Sequence, residues 1–334
     1  MFTLRTSEQQ GLSAQRKFLP SADLAGYVRS IEYLESLQAD DTLHPLAFSV
    51  FPFVSFYLGT PCAAFEYDRG ECRLLPRISV VGPCDHRVAD FAHGSDFRTL
   101  RVVFEPTGFF RLFRISPAEI RNLAHDGVDV LGRCAGELHA RLCEAQCPEQ
   151  MVEVVEQALR TWRTNVLPKS GIQLAAERLL YCRGRTDLGA LASSLGLSDS
   201  SWRRHFSTEI GVTPKRYFRM LRFEHAVGLK LEFPEWSWTQ VCLESGYYDQ
   251  AHFIADCQAI ARCTPSRFMR EVARMPALLA DAFYGQGTRR HERVGGASRG
   301  GDLRLGRSRE VATAREDGSN VARPRGRFFP VRAA

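Results

Sequence analysis

The segment LGALASSLGLSDSSWRRHFSTEIGVTP, residues 188–214, has the pattern of two short helices joined by a tight turn. Leucine and alanine residues recur at helical spacing in its first half and give that helix one apolar face. Gly196 breaks this helix, and Ser198 is placed to cap the next one. The second helix has apolar residues four positions apart, namely Trp202, Phe206 and Ile210. The segment therefore predicts a helix-turn-helix unit.

The other side of the second helix carries small polar residues and guanidinium groups, namely Ser200, Arg203, Arg204 and Ser207. A short helix with such a face fits the major groove of DNA, where arginine can form two hydrogen bonds to guanine. The alternative is an ordinary helical hairpin whose charged side chains are solvated. This segment alone does not decide between the two interpretations.

A second copy of the pattern follows about fifty residues later in the chain. It comprises Trp238, Val241, Cys242, Ser245 and Gly246. Between the copies, residues 214–231 begin with a threonine cap and a proline at the first helical position, and apolar side chains occupy more than one face. The sequence thus predicts two helix-turn-helix units joined by a helix that is buried on several sides.

Two such units on one connecting helix resemble the DNA-binding domain of the AraC family of transcriptional regulators. The motifs that carry the resemblance are GLS at 196–198, the Gly-x-Thr-Pro turn at 211–214, Arg222 in the connecting helix and GYYDQAHF at 246–253. The resemblance implies that the protein binds double-stranded promoter DNA in successive major grooves and works with RNA polymerase.

The resemblance also implies which residues contact DNA. Base-edge contacts in the first unit fall on Ser200, Ser201, Arg203 and Arg204. In the second unit they fall on Gln250, Ala251, His252 and Ala255. Phosphate contacts fall on the cations Lys215 and Arg216 and on backbone N–H groups near Ser198 and Thr213, and such contacts fix the register without reading the sequence.

The second unit departs from the family pattern. Ala255, Cys257 and Gln258 stand where the family has an Arg, a Phe and another basic residue, and Arg262 stands where it has a Gly. Fewer cations and a smaller core residue predict that the first unit dominates specific binding. The competing interpretation is that the second recognition helix still docks and reads DNA through shape and apolar contact.

The first half of the chain has a different pattern. Strands are predicted over residues 47–58, 63–67, 77–81 and 100–104, and helices over 109–113, 117–123, 131–145 and 150–162. This order predicts an α+β protein with a small antiparallel sandwich or barrel before the helices. The predicted domains are a β-rich sensor domain (1–168), the double helix-turn-helix domain (169–284) and a disordered Arg/Gly-rich tail (285–334).

This first region resembles the cupin-like sensor domain of the same family, with VVGP at 80–83 and FEPTGFFRLF at 104–113. The resemblance implies a small-molecule effector and a homodimer seam along the helical pair. The alternative is that Leu138, Leu142 and Leu159 pack only within their own domain. A second functional hypothesis is a constitutive DNA-binding module whose first domain serves only assembly.

Candidate catalytic and metal sites are weak. The possible metal ligands are Cys84, His86 and His93 in one group, and His139, Cys143 and Cys147 in another. Neither group has the paired histidines of cupin metal sites, and no nucleophile elbow, P-loop or dinucleotide fingerprint occurs. A DNA-repair methyltransferase regulator is a further alternative, but Cys62, Cys72, Cys84 and Cys134 are spaced too irregularly for its zinc site. The sequence predicts a protein that is not an enzyme and has no catalytic residue, metal or cofactor.

The charge and the cysteines bear on partners and location. Basic and acidic residues number 18 and 21 in residues 1–170, 14 and 12 in residues 171–284, and 12 and 5 in residues 285–334, so the excess of positive charge lies in the tail. The tail arginines are candidates for nonspecific phosphate attraction. Ten cysteines without a CxxC pair are typical of reduced thiols. With no long apolar run and no signal-peptide pattern, the sequence predicts a cytoplasmic, nucleoid-associated protein that does not bind a membrane.

Overall fold

Strands dominate the first part of the chain. The computed structural model describes residues 13–36, 40–46, 48–163, 166–183 and 185–275. In these ranges the strands are β1 (Ser13–Phe18), β2 (Val28–Ser36), β3 (Asp40–Leu46), β4 (Phe53–Tyr57), β5 (Ala63–Glu66), β6 (Glu71–Leu74), β7 (Ile78–Val81), β8 (Ala89–His93), β9 (Phe97–Phe104) and β10 (Ala124–Asp126).

The strands form two antiparallel sheets with a cavity between them. The first sheet has the order β1-β2-β9-β4-β7-β10, and the second has the order β3-β8-β5-β6. Side chains alternate across β9, so that Leu100 and Val102 pack on the outer face of the first sheet while Thr99 and Arg101 line the cavity. Burial on both faces explains why this strand is largely apolar, and the polar Thr99 and Arg101 on the cavity face produce the alternation in its sequence.

Helices make up most of the chain after β9. In the described ranges they are α1 (Gly108–Phe113), α2 (Gly127–Leu131), α3 (Arg133–Glu144), α4 (Pro148–Trp162), α5 (Gly171–Tyr181), α6 (Leu188–Ser194), α7 (Asp199–Ile210), α8 (Pro214–Glu232), α9 (Trp238–Ser245), α10 (Gln250–Ala261) and α11 (Pro265–Val272). The predicted class, an α+β chain with a β-rich region followed by helices, is confirmed. The predicted tail at 285–334 lies outside the described residues.

The helical pair α3 and α4 covers the outer face of the first sheet. Leu138, Leu142 and Leu159 are at most 3% exposed and belong to the same apolar cluster as Val54 and Leu100 of the sheet. Of the two interpretations of these leucines, the structure agrees with packing within their own region. They are buried inside the chain and do not form an exposed seam.

Two sequence predictions in the first region are wrong in extent or type. Residues 117–123 form turns and bends and no helix, because their backbone bonds to the segment after β7: Gly82 N–H donates to the Ile120 carbonyl over 2.8 Å. Asn122 has a left-handed φ of 70°, which a helix interior does not allow. In the described part of the predicted strand at 47–58, residues 48–58, the strand is confined to β4, and Ser49 makes an isolated bridge to Cys84.

The β-rich region packs directly against the C-terminal helices. The Phe48 ring meets the Phe223 ring of α8 edge to face, with centroids 5.2 Å apart, and the Arg87 N–H donates to the Ile260 carbonyl of α10 over 2.7 Å. All residues from 221 to 229 of α8 are buried, which confirms the predicted connecting helix with several covered sides. No helix in the described ranges is long and apolar enough to span a membrane.

Candidate functional site

The first helix-turn-helix unit consists of α6 and α7, and side chains cap both helices. The Asp187 carboxylate accepts hydrogen bonds from the N–H groups of Gly189 and Ala190 (2.7 and 3.2 Å) at the start of α6. Gly196 forms the turn with φ of 65°, which favours glycine, and the Ser198 hydroxyl caps α7. A cap of this kind contributes about 1 kcal/mol. The turn and the cap lie where the sequence predicts them.

An aromatic stripe fixes the face that α7 turns to solvent. Trp202 and Phe206 are at most 4% exposed, and their ring centroids lie 4.9 Å apart. Because this stripe is buried, the opposite side of the helix faces outward. It carries Ser200, Arg203, Arg204 and His205, with Ser201 half-buried beside them.

The two arginines of α7 are weakly held. Arg203 Nη2 lies 3.8 Å from Asp199 Oδ2, but both side chains are at least 70% exposed, and solvent-exposed pairs of this kind contribute little. In the described part of the chain, the Arg204 guanidinium has no carboxylate within salt-bridge distance. Both arginines are therefore available to a partner in solution.

The two cations at the start of α8 differ in their surroundings. Lys215 is exposed. Arg216 is also exposed, but its Nε lies 2.7 Å from Oδ2 of Asp85, whose side chain is fully buried in the segment between β7 and β8. Arg216 thus connects α8 to the β-rich region. It can contact a phosphate only by sharing or leaving this carboxylate.

The second unit consists of α9 and α10. Ser237 begins α9 in a reciprocal capping box with Gln240, and Gly246 ends it with a left-handed φ of 79°. Asp249 caps α10 by accepting the His252 N–H over 2.7 Å. The predicted contact residues Gln250, Ala251, His252 and Ala255 are all exposed on α10.

His252 is exposed but has an intramolecular partner. Its Nε2 lies 3.0 Å from Nη2 of Arg222, and since a guanidinium can only donate, Nε2 accepts and the proton of the neutral ring lies on Nδ1. The same Arg222 nitrogen lies 3.2 Å from Asp256, which also accepts from Arg219 over 2.7 Å. This buried Asp256 network joins α8 to α10. Sequence reasoning missed it, although two arginines three residues apart on a buried helix indicate a carboxylate partner.

The positions that depart from the family pattern have definite surroundings. Cys257 is fully buried, and its thiol donates to the Cys263 carbonyl over 3.2 Å. Burial raises the pKa of the Cys257 thiol well above its ordinary value. Arg262 adopts a left-handed φ of 56°, the conformation that glycine favours, and its Nη2 lies 3.0 Å from Asp68 of the β-rich region.

The second candidate site is the cavity between the two sheets. It is partly open to solvent, and its lining comes from strands of both sheets. The apolar lining includes Leu34, Phe48, Leu75, Val81, Val88, Phe91 and Phe97. The polar lining includes Ser55, Tyr57, Ser79, Thr99 and Arg101.

The polar groups of the cavity form a row across the first sheet. Strand register places Glu32 beside Arg101, Arg101 beside Ser55, and Ser55 beside Ser79. Arg101 Nη2 donates to Glu32 over 2.5 Å, and Lys17 Nζ lies 3.2 Å from the same carboxylate. Burial alone would raise the pKa of Glu32, but Arg101 and Lys17 outweigh it and lower the pKa to about 2. Glu32 therefore stays ionised and compensates the charge of Arg101.

The candidate metal ligands do not converge. His86 Nδ1 lies 2.7 Å from Asp85 and His93 Nδ1 lies 3.0 Å from the Gly94 carbonyl, so the two imidazoles serve different partners. His139 Nε2 lies 2.8 Å from the Tyr57 carbonyl. Within the described ranges no group of three or more His, Cys, Asp or Glu side chains has the geometry of a metal site.

Comparison with known proteins identifies the C-terminal helices. Residues 191–271, which include α7 to α10 and most of α11, match the profile of a family described as a helix-turn-helix domain. These residues form an AraC-type helix-turn-helix domain. A helix-turn-helix domain of this type binds DNA, so the helix-turn-helix domain of this chain provides its DNA-binding part.

Solved structures similar to the chain include several of ToxT from Vibrio cholerae. A ToxT structure shares 10% identity, with 73% of this chain and 97% of that chain covered and a TM-score of 0.40. A ToxT structure bound to (E)-4-(8-methylnaphthalen-1-yl)but-3-enoic acid shares 10% identity, covers 72% and 97% of the two chains and has a TM-score of 0.40. An unsaturated fatty acid bound ToxT structure shares 9% identity, with coverages of 72% and 94% and a TM-score of 0.37. No curated protein sequence matched the chain.

Proposed function

We propose that the protein is a transcriptional regulator that binds promoter DNA through α7 and α10 and responds to a small molecule in the cavity between its sheets. The observation that carries the proposal is the capped, outward-facing α7, whose Arg203 and Arg204 have no strong intramolecular partner in the described ranges. The proposed domains are residues 1–168, 169–284 and 285–334. RNA polymerase and a second copy of the chain are the proposed protein partners, the nucleoid in the cytoplasm is the proposed location, and no catalytic role is proposed.

The proposed DNA contacts follow from exposure and hydrogen-bonding capacity. Ser200, Ser201, Arg203 and Arg204 on α7 and Gln250 on α10 are the base-edge contacts, and glutamine suits adenine. His252 can reach a base only with Nδ1, because Nε2 bonds to Arg222. Lys215, which is exposed, is the main proposed phosphate contact. Arg216 joins it when it leaves Asp85.

The loop at residues 82–88, here the coupling loop, connects the cavity to the DNA-binding helices. Cys84 and Val88 of this loop line the cavity. Asp85 forms an ion pair with Arg216 of α8 (2.7 Å), and Arg87 Nη1 lies 2.6 Å from Glu271 of α11. A ligand that displaces the cavity side of so short a loop moves the anchors of both helices, and this supports sensing over a first domain that serves assembly alone.

DNA binding is tested by footprinting bound sites and then comparing variants on one of them at fixed salt. Arg204→Ala should weaken specific binding by about 1–3 kcal/mol and leave nonspecific binding nearly unchanged, because a base contact is lost. Arg270→Ala, an exposed arginine on α11 outside both recognition helices, is the matched control. An unchanged ratio of specific to nonspecific affinity in Arg204→Ala would contradict the assignment.

A further inference from the structure

The floor of the cavity contains a buried hydroxyl without a partner. Thr99 on β9 is 3% exposed and lines the cavity, and in the described part of the chain its Oγ1 has no hydrogen-bond partner. Buried polar atoms in folded proteins are nearly always hydrogen-bonded, and an unpaired one is destabilising. Thr99 is therefore a group that a bound molecule can satisfy.

The charged groups around the cavity already have opposite charges beside them. Arg101 donates with Nε and Nη2 to Glu32, over 3.1 and 2.5 Å. Arg73 at the other wall forms a salt bridge with Glu66 and donates to the Ala124 carbonyl over 3.0 Å. An anionic ligand would have to compete with these carboxylates. The arrangement therefore favours an uncharged ligand.

The remaining walls are apolar. Phe48, Leu75, Phe91 and Phe97 are all buried and surround the space above the polar row. Leu123, which is 38% exposed, lies at the side where the cavity meets solvent. A ligand that enters there places an apolar body against the aromatic rings, and its inner end reaches Thr99, which lies two residues before Arg101 on β9.

We infer that the effector is an uncharged, largely apolar small molecule with one hydroxyl or carbonyl group that hydrogen-bonds to Thr99. This inference rests on the proposed sensing function of the cavity. It assigns Thr99 as the residue that selects a polar group at the inner end of the ligand. When the polar end of the ligand bonds to Thr99, its other end lies close to Cys84 and Val88 of the coupling loop.

Three probes with one skeleton separate charge from hydrogen bonding: 4-butylphenol, butylbenzene and 4-butylbenzoate. Their binding to the full-length protein is measured by isothermal titration calorimetry. We expect 4-butylphenol to bind about three- to tenfold more tightly than butylbenzene, the factor that one hydrogen bond provides. 4-Butylbenzoate should bind more weakly than 4-butylphenol. Tighter binding of the benzoate, or no binding of any probe, would overturn the inference.

Variants at Thr99 test the hydrogen bond itself. Thr99→Val, which keeps the shape and removes the hydroxyl, should reduce the affinity for 4-butylphenol to that for butylbenzene and leave butylbenzene unaffected. Thr99→Ser should restore the preference, and this second variant guards against a folding defect of the first. Thr107→Val is the matched control, because its hydroxyl is also buried and without a partner in the described ranges but does not line the cavity.

A gel shift on a footprinted site separates this inference from the proposed function. If Thr99→Val and the wild-type protein bind 4-butylphenol with equal affinity, the inferred ligand class is wrong. If both proteins still bind the DNA site, the proposed DNA-binding function is unaffected by that result. Selective binding of 4-butylphenol without any change in DNA affinity supports the ligand class and contradicts the sensing role.

Discussion

Glu224 of α8 is a carboxyl group buried at the contact between the connecting helix and the β-rich region. Glu224 is 6% exposed, and the charged groups that influence its pKa are Arg29 and Arg183. Arg183 also bonds to His225 over 2.6 Å, and Arg29 lies 3.6 Å from Glu105. Burial raises the pKa of Glu224 from its ordinary 4.5 to about 7, although both arginines act in the opposite direction.

This shift makes the stability of the protein depend on pH. Between pH 4.5 and 7 the folded protein holds a proton on Glu224 that the unfolded chain has released, so the free energy of unfolding falls as the pH rises. Above pH 7 Glu224 is ionised in the folded protein as well, and the full free-energy cost of its buried charge lowers the stability. A shift from 4.5 to about 7 corresponds to about 3 kcal/mol, at 1.36 kcal/mol per pKa unit.

Glu224→Gln should remove the penalty, because glutamine has nearly the same shape as the protonated acid. We expect the variant to be more stable than the wild-type protein by about 3 kcal/mol at pH 8, and by less than about 1 kcal/mol at pH 5. Urea unfolding followed by circular dichroism over this pH range measures the difference. Glu232→Gln, at an exposed position of the same helix, is the control and should show no such trend.

The reasoning would be refuted by one clear result. If Glu224→Gln and the wild-type protein lose stability with the same pH slope between 5 and 8, the carboxyl group is not protonated in the folded protein. A variant less stable than the wild-type protein at pH 8 would mean that Arg29 and Arg183 need the negative charge, and that attraction outweighs burial at this site.

Two further predictions concern DNA binding. Deletion of residues 285–334 should leave the cooperative unfolding transition unchanged. It should also make the salt dependence of DNA affinity shallower, because twelve basic residues are removed. Loss of the unfolding transition would show that the tail is structural. A base-by-base substitution scan of a bound site should show larger losses of affinity under α7 than under α10, where Ala255 and Gln258 replace family cations; equal losses would contradict this asymmetry.

Local chemistry explains why the C-terminal region could be predicted so fully. Caps such as Ser198, left-handed glycines such as Gly196, and apolar residues four apart such as Trp202 and Phe206 act within a single helix or turn. Their spacing is visible in the sequence, and the structure confirms it. The apolar face of the connecting helix could be recognised for the same reason.

The β-rich region was harder to predict because long-range pairing decides it. Strand β2 was missed, since Glu32 interrupts its apolar pattern. The buried charge is explained by Lys17 on the neighbouring strand and by Arg101, which lies 69 residues further along the chain. Residues 117–123 have helical spacing, but hydrogen bonds to the segment after β7 hold them in turns. The cavity could not be predicted at all, because its lining comes from strands of both sheets.

Contacts between distant parts of the chain also change what the DNA-binding residues can do. From sequence, Arg216 is a free cation at the start of a helix, yet it faces the buried Asp85 carboxylate. Arg262 in turn stands at a left-handed position and meets Asp68. A carboxylate with a buried side chain and a DNA phosphate compete for the same guanidinium, so stronger phosphate binding at Arg216 must weaken the link to the coupling loop. By reciprocity, any ligand that moves Asp85 away from α8 makes Arg216 more available to DNA.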